Sequence, residues 1–421
     1  MAYKYRIYPS ANQIKVLNEQ LKLCRELYNA CLQQRKLAHE KGVAITYRDQ
    51  QDQLPEIRRA FPEYMNIHSQ VLQDVVRRLH KAYDNAFRRV KERKAGKNVR
   101  IGFPRFKGEE RYRSITYSQS GFHIMENNHL HVSKIGEIRM FMHREISGRI
   151  KTMTISMDAV GDWFVSFSVD DTNNASILER KSIPLTEKTA LGYDKGLISL
   201  IAGSDDYTVE APKFFRKGEN GIKRSQRNVS RKRKGSKNRE KAKLRLAKKH
   251  RKVKRQREDF TWKTANTIVS RSDIIFLEDL NVQGMVQNHH LAKSITDASW
   301  SMLTQYTTYK AESAGKMVEL VDPGGTSQTC SRCGWIKKDL DLSDRMYQCN
   351  ICGLDIDRDL NAAINIRNGG LEKLRKLAEG IREVTPVETG ALLERATPIV
   401  EAGSPLRQRG EDVTHQWQYE E

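Results

Sequence analysis

Residues 330–365 read CSRCGWIKKDLDLSDRMYQCNICGLDIDRDLNAAIN. Two CxxC pairs, Cys330/Cys333 and Cys349/Cys352, precede an acid-rich helix start that carries Asp355, Asp357 and Asp359. Each CxxC makes a tight turn that brings two thiolates together, and the 15 residues between the pairs lie at the short edge of zinc-ribbon spacing. One zinc bound by four sulfurs is the expectation. Buried or disulfide-bonded cysteines are the plainer alternative, but paired CxxC turns seldom arise for that purpose. Four Cys ligands leave no open coordination position, so such a metal is a structural staple rather than a catalyst.

The 421 residues can bury more than one core, so two or three domains are expected. Lys and Arg number 74 against 52 Asp and Glu, a net charge of +22 that calls for a polyanionic partner. Nucleic acid fits best, because Lys and Arg neutralise phosphates and release counterions; an anionic membrane surface is the weaker candidate. No apolar run reaches the roughly 18 to 20 residues of a membrane span, and the N-terminal MAYKYRIYPSANQ lacks the apolar core of a secretion signal. An intracellular protein without a membrane partner is expected. The two cysteines outside the metal set, Cys24 and Cys31, share one helical face and read as small core residues.

Residues 3–8 alternate like a short strand. Ser10 and Gln13 form a capping box, and Ile14, Leu17, Leu21, Cys24, Tyr28 and Cys31 then repeat at helical spacing. A second helical stripe runs through Ile67, Val71, Val75, Leu79, Tyr83, Ala86 and Val90. Its other face is basic, with Arg77, Arg78, Lys81, Arg88, Arg89 and Lys91, and the charge continues through Lys94, Lys97, Arg100, Arg105 and Lys107. A basic face can be merely solvated, but as a group these residues suit a nucleic-acid surface. From about Ser114 to Asp171 the period changes to two, which predicts a small antiparallel sheet or barrel whose first strand could pair with residues 3–8.

After Pro184 come runs of another kind. Residues 190–201 hold two buried strand pieces broken by Asp194 and Gly196, and DIIFLEDL at 273–280 is a buried strand ending in acids. Between them, 19 of the 35 residues from Lys223 to Arg257 are Lys or Arg, with a thin apolar edge that predicts charged helices rather than a disordered segment. Residues 297–320 read as a further helix stopped at Gly315, followed by a strand. From Gly369 the composition shifts to 10 acids and 7 bases, and a disordered tail is expected.

Three acids share a pattern. Asp194 and Glu278 follow apolar strand runs, and Asp359 lies in the first turn of DRDLNAAINI, where Asp355 and Asp357 compete with it as metal ligand or helix cap. Carboxylates at strand ends beside a helix start can converge on one sheet edge and hold two magnesium ions for phosphodiester hydrolysis. Taken singly, each is as well explained by a cap or an ion pair.

The set GYDKG at 192–196, FLEDLNVQGM at 276–285, TSQTCSRCG at 326–334 and CGLDIDRDLNAAINI at 352–366 resembles the TnpB family, transposon-encoded RNA-guided DNA endonucleases related to type V CRISPR effectors. The resemblance covers nearly the whole chain. It implies an α+β multidomain fold. Residues 1–10 and 111–182 would form a wedge-like β-barrel, with a helical recognition insertion at 11–110. An RNase H-like RuvC nuclease would occupy 183–325 and 354–368, split by a zinc-ribbon insertion at 326–353. Asp194, Glu278 and Asp359 match the family's catalytic acids and would hold magnesium or manganese. Leu197 follows Gly196 as a hydrophobe, which the family pattern tolerates. The implied partners are a structured guide RNA from the transposon end, target double-stranded DNA with its displaced strand, and a transposase of the same element. Location would be cytoplasmic, at the nucleoid of a prokaryote.

Tyr47, Gln70, Gln73, Arg77, Lys81, Thr116, Tyr117 and Ser118 are candidates for reading the motif beside the target, since Gln and Arg can address base edges in a major groove. Arg231, Arg233, Lys241, Arg245, Lys248 and Lys252 are candidates for phosphate contact. A nuclease-inactive guided repressor, a carboxylate-triad transposase and a non-enzymatic RNA-binding protein with a structural zinc are the competing readings.

Overall fold

A computed structural model describes residues 2–170, 183–341 and 344–382. The chain divides into two compact units, Met1–Ser182 with Ala211–Thr267 and Val282–Lys316, and Ile183–Glu210 with Ile268–Asn281 and Met317–Glu421. Segments 211–267 and 282–316, expected with the nuclease part, thus group with the first unit.

The first unit opens with β1 (Ala2–Tyr8) and α1 (Ala11–Glu40), joined by the expected capping box between Ser10 and Gln13. The short helices α2 (Tyr47–Asp52) and α3 (Leu54–Ala60) lead to α4 (Ser69–Lys94), which packs along α1. The two apolar stripes meet there, with Leu17, Cys24, Leu27 and Cys31 buried in one cluster with Val71, Val75 and Leu79. Six strands follow: β2 (Ser114–Tyr117), β3 (Phe122–Ile124), β4 (His129–Val132), β5 (Gly136–Phe141), β6 (Arg149–Met157) and β7 (Trp163–Asp170). With β1 they form one antiparallel sheet in the order β2-β6-β7-β1-β5-β4-β3.

The expected pairing of β1 with the first strand of this region is corrected. β1 lies in the middle, bonded to β5 and β7, while β2 pairs with β6. Its buried residues Tyr3, Tyr5 and Ile7 need cover that an edge position would not give. β2 and β3 are consecutive in the chain yet stand at opposite edges of the sheet. Their ends meet where the rings of Tyr117 and Phe122 pack edge to face, so the sheet curls into a nearly closed barrel.

The basic segment is helical, as its thin apolar edge requires. It forms α5 (Phe214–Ser230) and α6 (Lys237–Arg271), the latter burying Ala242, Val253 and Ala265. Within the first unit, Arg251 is held by Asp158 and Asp162 of the β6–β7 turn. Arg257 pairs with Asp297, whose carboxylate also accepts the free N–H groups of Phe215 and Arg216 at the start of α5. Three more helices follow, α7 (Val282–Met285), α8 (Ala292–Ala298) and α9 (Trp300–Ser313). None of the described helices is long and apolar enough to cross a membrane.

The second unit is built on β8 (Ala190–Asp194), β9 (Ser199–Gly203), β10 (Thr208–Glu210), β11 (Ile274–Glu278) and β12 (Met317–Val321) in the order β10-β9-β8-β11-β12. β10, β9 and β8 run antiparallel, and β8, β11 and β12 run parallel. A two-stranded ribbon, β13 (Met346–Gln348) and β14 (Asp355–Asp357), leads into α10 (Arg358–Arg382), which packs across β8 and β11.

Helix and sheet approach at two glycines. A methyl group on Gly192 would collide with the backbone of Ala363 and Arg367, and one on Gly370 with the ring of Phe276. This overturns the expected tail boundary at residue 369. The Gly369-Gly370 pair reads as a break because glycine weakens helices, yet α10 continues to Arg382 and Leu371 is buried with Ala190, Ile274, Phe276 and Ile366. The remainder of the expected tail, 383–421, lies outside the described residues.

Candidate active site

Parallel register places Leu277 of β11 opposite Tyr193 of β8, so Glu278 and Asp194 emerge side by side at the C-terminal ends of neighbouring strands. That edge is where ligands gather in open sheets with parallel strands. Asp359 comes from the first turn of α10. Which acid caps that helix is decided by Asp357: its Oδ1 accepts from the N–H groups of Asp359 at 2.9 Å and Leu360 at 3.0 Å. Asp355 accepts instead from the Gln348 amide across the ribbon at 3.1 Å.

The three acids interact strongly. Burial pushes the Asp194 carboxyl well above its ordinary range, the charges of Glu278 and Asp359 push it further, and Arg358 opposes them. Glu278 is also raised by burial, against the pull of the Lys195 N–H and the Thr326 hydroxyl, which donate to its two carboxylate oxygens at 3.4 Å. Lys195 is itself buried, which lowers its pKa, and its ammonium donates to the Glu278 carbonyl at 2.5 Å. It ties the ends of β8 and β11 together. Arg358 stands 3.7 Å from Asp359 and donates to the Asp341 carbonyl at 3.1 Å. A partly buried set of oxygen donors with more negative than positive charge suits a hard divalent cation such as magnesium or manganese. Among the described residues, only the four cysteines have all their ligand atoms within 4.8 Å of one another. The carboxylates repel each other, and a divalent cation is what would draw them in.

Cys330, Cys333, Cys349 and Cys352 do converge, from two loops of the same form. In each, the N–H of the first Cys donates five residues ahead, to Trp335 or Leu354, and the glycine four residues on, Gly334 or Gly353, donates back to its carbonyl. Both glycines have positive φ, 77° and 69°, as the tight turn demands. Sulfurs from opposite loops lie 3.6 Å (Cys330–Cys352) and 3.5 Å (Cys333–Cys349) apart. A zinc tetrahedron with bonds near 2.3 Å has edges of about 3.8 Å, so the set fits that metal. Burial works against ionisation of Cys349, but N–H groups of Cys352 and Ile351 and the Cys333 thiol bring it down to about 6.

Two side chains not singled out from the sequence join this module to α10. Asn361 is fully buried; it accepts from the Ser331 N–H at 2.9 Å and donates to the Thr329 carbonyl at 2.7 Å. Asn365, one turn later, donates to the carbonyls of Thr326 and Thr329 at 2.8 and 2.6 Å. These partners flank Cys330, and Thr326 in turn touches Glu278. The signal was present in DLNAAIN, where two amides four residues apart sit on one face of an otherwise apolar turn.

The base-reading candidates are placed unevenly. Arg77 bridges Asp74 at 2.7 Å and Ser118 at 3.1 Å, and Gln70 accepts from the N–H groups of Gln119 and Ser120, so α4 and the end of β2 share one surface. Tyr47 stacks on His80 with centroids 5.0 Å apart, and Gln73 and Lys81 are exposed. Tyr117 departs from expectation. Its ring is fully buried and its hydroxyl donates to the Ser133 carbonyl, because the barrel closes over it. Thr116 is likewise inside, bonded to Arg78 and Thr154. Arg231, Arg233, Lys241, Arg245, Lys248 and Lys252 are all exposed, and the last four follow one face of α6.

The chain resembles known proteins over most of its length. A protein of Streptomyces pristinaespiralis described as "Putative RNA-guided DNA endonuclease" is 32% identical over 378 residues, 88% of this chain and 89% of its own. The chain belongs to the TnpB family. A relative in Escherichia coli K12, "Putative RNA-guided DNA endonuclease InsQ", is 28% identical over 88% of this chain and 92% of its own length. Within this TnpB chain, residues 300–366 match the family described as "Cas12f1-like, TNB domain", 174–289 "Probable transposase" and 1–43 "Helix-turn-helix domain". The last segment is here one strand and one unbroken 30-residue helix. A solved Cas12f1–sgRNA–target DNA complex is similar at a TM-score of 0.34 and 15% identity, covering 88% of this chain and 99% of that one.

Proposed function

We propose that this protein is an RNA-guided DNA endonuclease that hydrolyses phosphodiester bonds at Asp194, Glu278 and Asp359. The observation that carries the reading is the meeting of three acids, from two strand ends and a helix start, in a buried setting that raises Asp194. Magnesium or manganese held by these oxygens would supply the electrophilic activation and the nucleophilic water that phosphodiester hydrolysis needs. The chain's own groups prepare the place. β8 and β11 fix the spacing of Asp194 and Glu278; the Lys195 N–H and the Thr326 hydroxyl hold the Glu278 carboxylate in one orientation; the Asp357 cap anchors the helix turn that presents Asp359. The sheet of the second unit, with α10 across it, supports an RNase H-like RuvC assignment, the cysteine module a zinc-ribbon insertion, and the curled sheet with α1–α4 a wedge barrel with its recognition helices.

Guide pairing would select the target while protein contacts read a short adjoining motif, the division of labour known for guided effectors. The exposed cations of α5 and α6 would neutralise RNA and DNA phosphates, consistent with the net charge of +22. The guide would derive from the transposon end, and a transposase of the same element would be the functional partner, in the cytoplasm at the nucleoid. The test is to sequence the RNA that copurifies with the protein and to offer DNA matching its variable end. Wild type should cut and Asp194→Ala should bind the same RNA without cutting; equal cutting by both proteins overturns the assignment.

A further inference from the structure

Three phenylalanines stand half in solvent at one end of the helical region of the first unit, among the basic residues that run from Lys81 to Lys107. Phe87 is 44% exposed on α4, and Phe103 and Phe106 are 50% and 48% exposed on the segment that follows it. They form a row. Arg35 of α1 lies over the Tyr83 ring at 5.3 Å, Tyr83 stacks on Phe87 at 6.1 Å, and Phe87 meets Phe103 edge to face at 5.9 Å. Beside it, Lys36 sits over Phe106 at 4.8 Å. Rings in such contact bury only part of each other, and leaving that much apolar surface in water is unfavourable unless something covers it.

The surroundings say what. From Lys81 to Lys107 the chain carries ten basic and two acidic residues, and Arg88, Lys97 and Arg105 among them are exposed. An apolar protein partner would find few neutral neighbours here; a strand of unpaired bases finds π faces at spacings of about 6 Å and cations for its phosphates, the combination that single-stranded nucleic acid uses. Duplex DNA does not offer its base faces. We infer that Phe87 and Phe103, backed by Tyr83, form a stacking site for an unpaired DNA strand, with the flanking cations holding its backbone. Rings and cations address the bases and phosphates of DNA and RNA alike; DNA is assigned because the proposed endonuclease acts on DNA, and that choice rests on the proposed function. The stacking itself stands apart from the nuclease reading, since it concerns binding alone.

The test uses the full chain freed of RNA and a short oligothymidylate carrying one 2-aminopurine, a base whose fluorescence falls when it stacks. Wild type should quench it. Phe87→Ala/Phe103→Ala should weaken single-strand binding about tenfold or more and abolish the quenching, leave affinity for a duplex of equal length unchanged, and keep the slope of affinity against salt, because no phosphate contact is lost. Phe87→Trp should restore quenching, and Arg105→Ala should flatten the salt slope. Both phenylalanines are half exposed, so a melting curve matching wild type is expected. Equal losses for single strand and duplex, or full quenching by the double variant, would overturn the site. Tighter binding of the matching oligouridylate would overturn the DNA assignment.

Discussion

The zinc module and the carboxylate cluster are two answers to one problem, holding groups of like charge close together. The module solves it locally. Each cysteine pair rides on a turn closed by its own backbone hydrogen bonds and a positive-φ glycine, so most of the geometry is fixed within six residues of chain. The carboxylates have no such help. Asp194, Glu278 and Asp359 are spread over 166 positions and meet only because two strands pair in parallel and one helix lies across them. A locally closed site should keep its metal when its surroundings are perturbed; a site assembled at long range should fail when any support moves.

That contrast can be broken at several points. Asp194→Ala should lower cleavage by about a thousandfold or more while leaving RNA binding and zinc content intact, measured by gel assay and metal analysis. Cys349→Ser should release zinc and reduce cleavage about a hundredfold with Asp194, Glu278 and Asp359 all present; normal cutting by the zinc-free variant would sever the two sites. Asn361→Ala is the sharper probe, because it leaves the Ser331 N–H without this partner, at about 1–3 kcal/mol for a buried unpaired group, while the Thr329 carbonyl keeps its bond from Asn365. It should retain one zinc and lose cleavage about tenfold, with manganese binding by calorimetry weakened in step. Loss of zinc from this variant would show instead that the cysteine loops depend on α10.

The smallest effect concerns stability without divalent metal. Burial and neighbouring carboxylates raise Asp194, so the folded chain keeps a proton that the unfolded chain gives up. The contribution of this group is full below the ordinary Asp range and is lost as pH rises through the raised value. In chelator, Asp194→Asn should melt higher than wild type at pH 8 and alongside it at pH 4. An equal difference at both pH values would point to packing rather than charge.

Local signals carried most of what the sequence revealed. The capping box at Ser10, the helical stripes of α1 and α4, the apolar strands ending in Asp194 and Glu278, and the cysteine spacing all lie within windows of a few residues to a few turns. What escaped depended on contacts between distant segments. Nothing in AYKYRIY says that β1 has two partners rather than one. Thr116 and Tyr117 looked like surface groups because their burial comes from barrel curvature. Which of Asp355 and Asp357 caps the helix that carries Asp359 was open on paper, and hydrogen bonding separated them. Gly369-Gly370 looked like the end of the folded chain, since a glycine pair is indistinguishable from a linker until the ring of Phe276 is found where its side chains would be.

The flat seat of α10 on β8 and β11 sets where this protein can change length. Adding one residue to an α-helix turns everything beyond it by about 100°, so an insertion between Gly353 and Gly370 would swing Asp359 and both asparagines off their marks or unseat the glycine contact. The span between the cysteine loops is less constrained, because each loop closes on itself and the span is tied at Lys337, which donates to the Gln328 carbonyl, and at the Asp341 carbonyl. Fusion of an epitope or reporter between these ties, near Lys338–Asp339, should therefore be tolerated, and lineages that lengthen this protein are expected to have done so there.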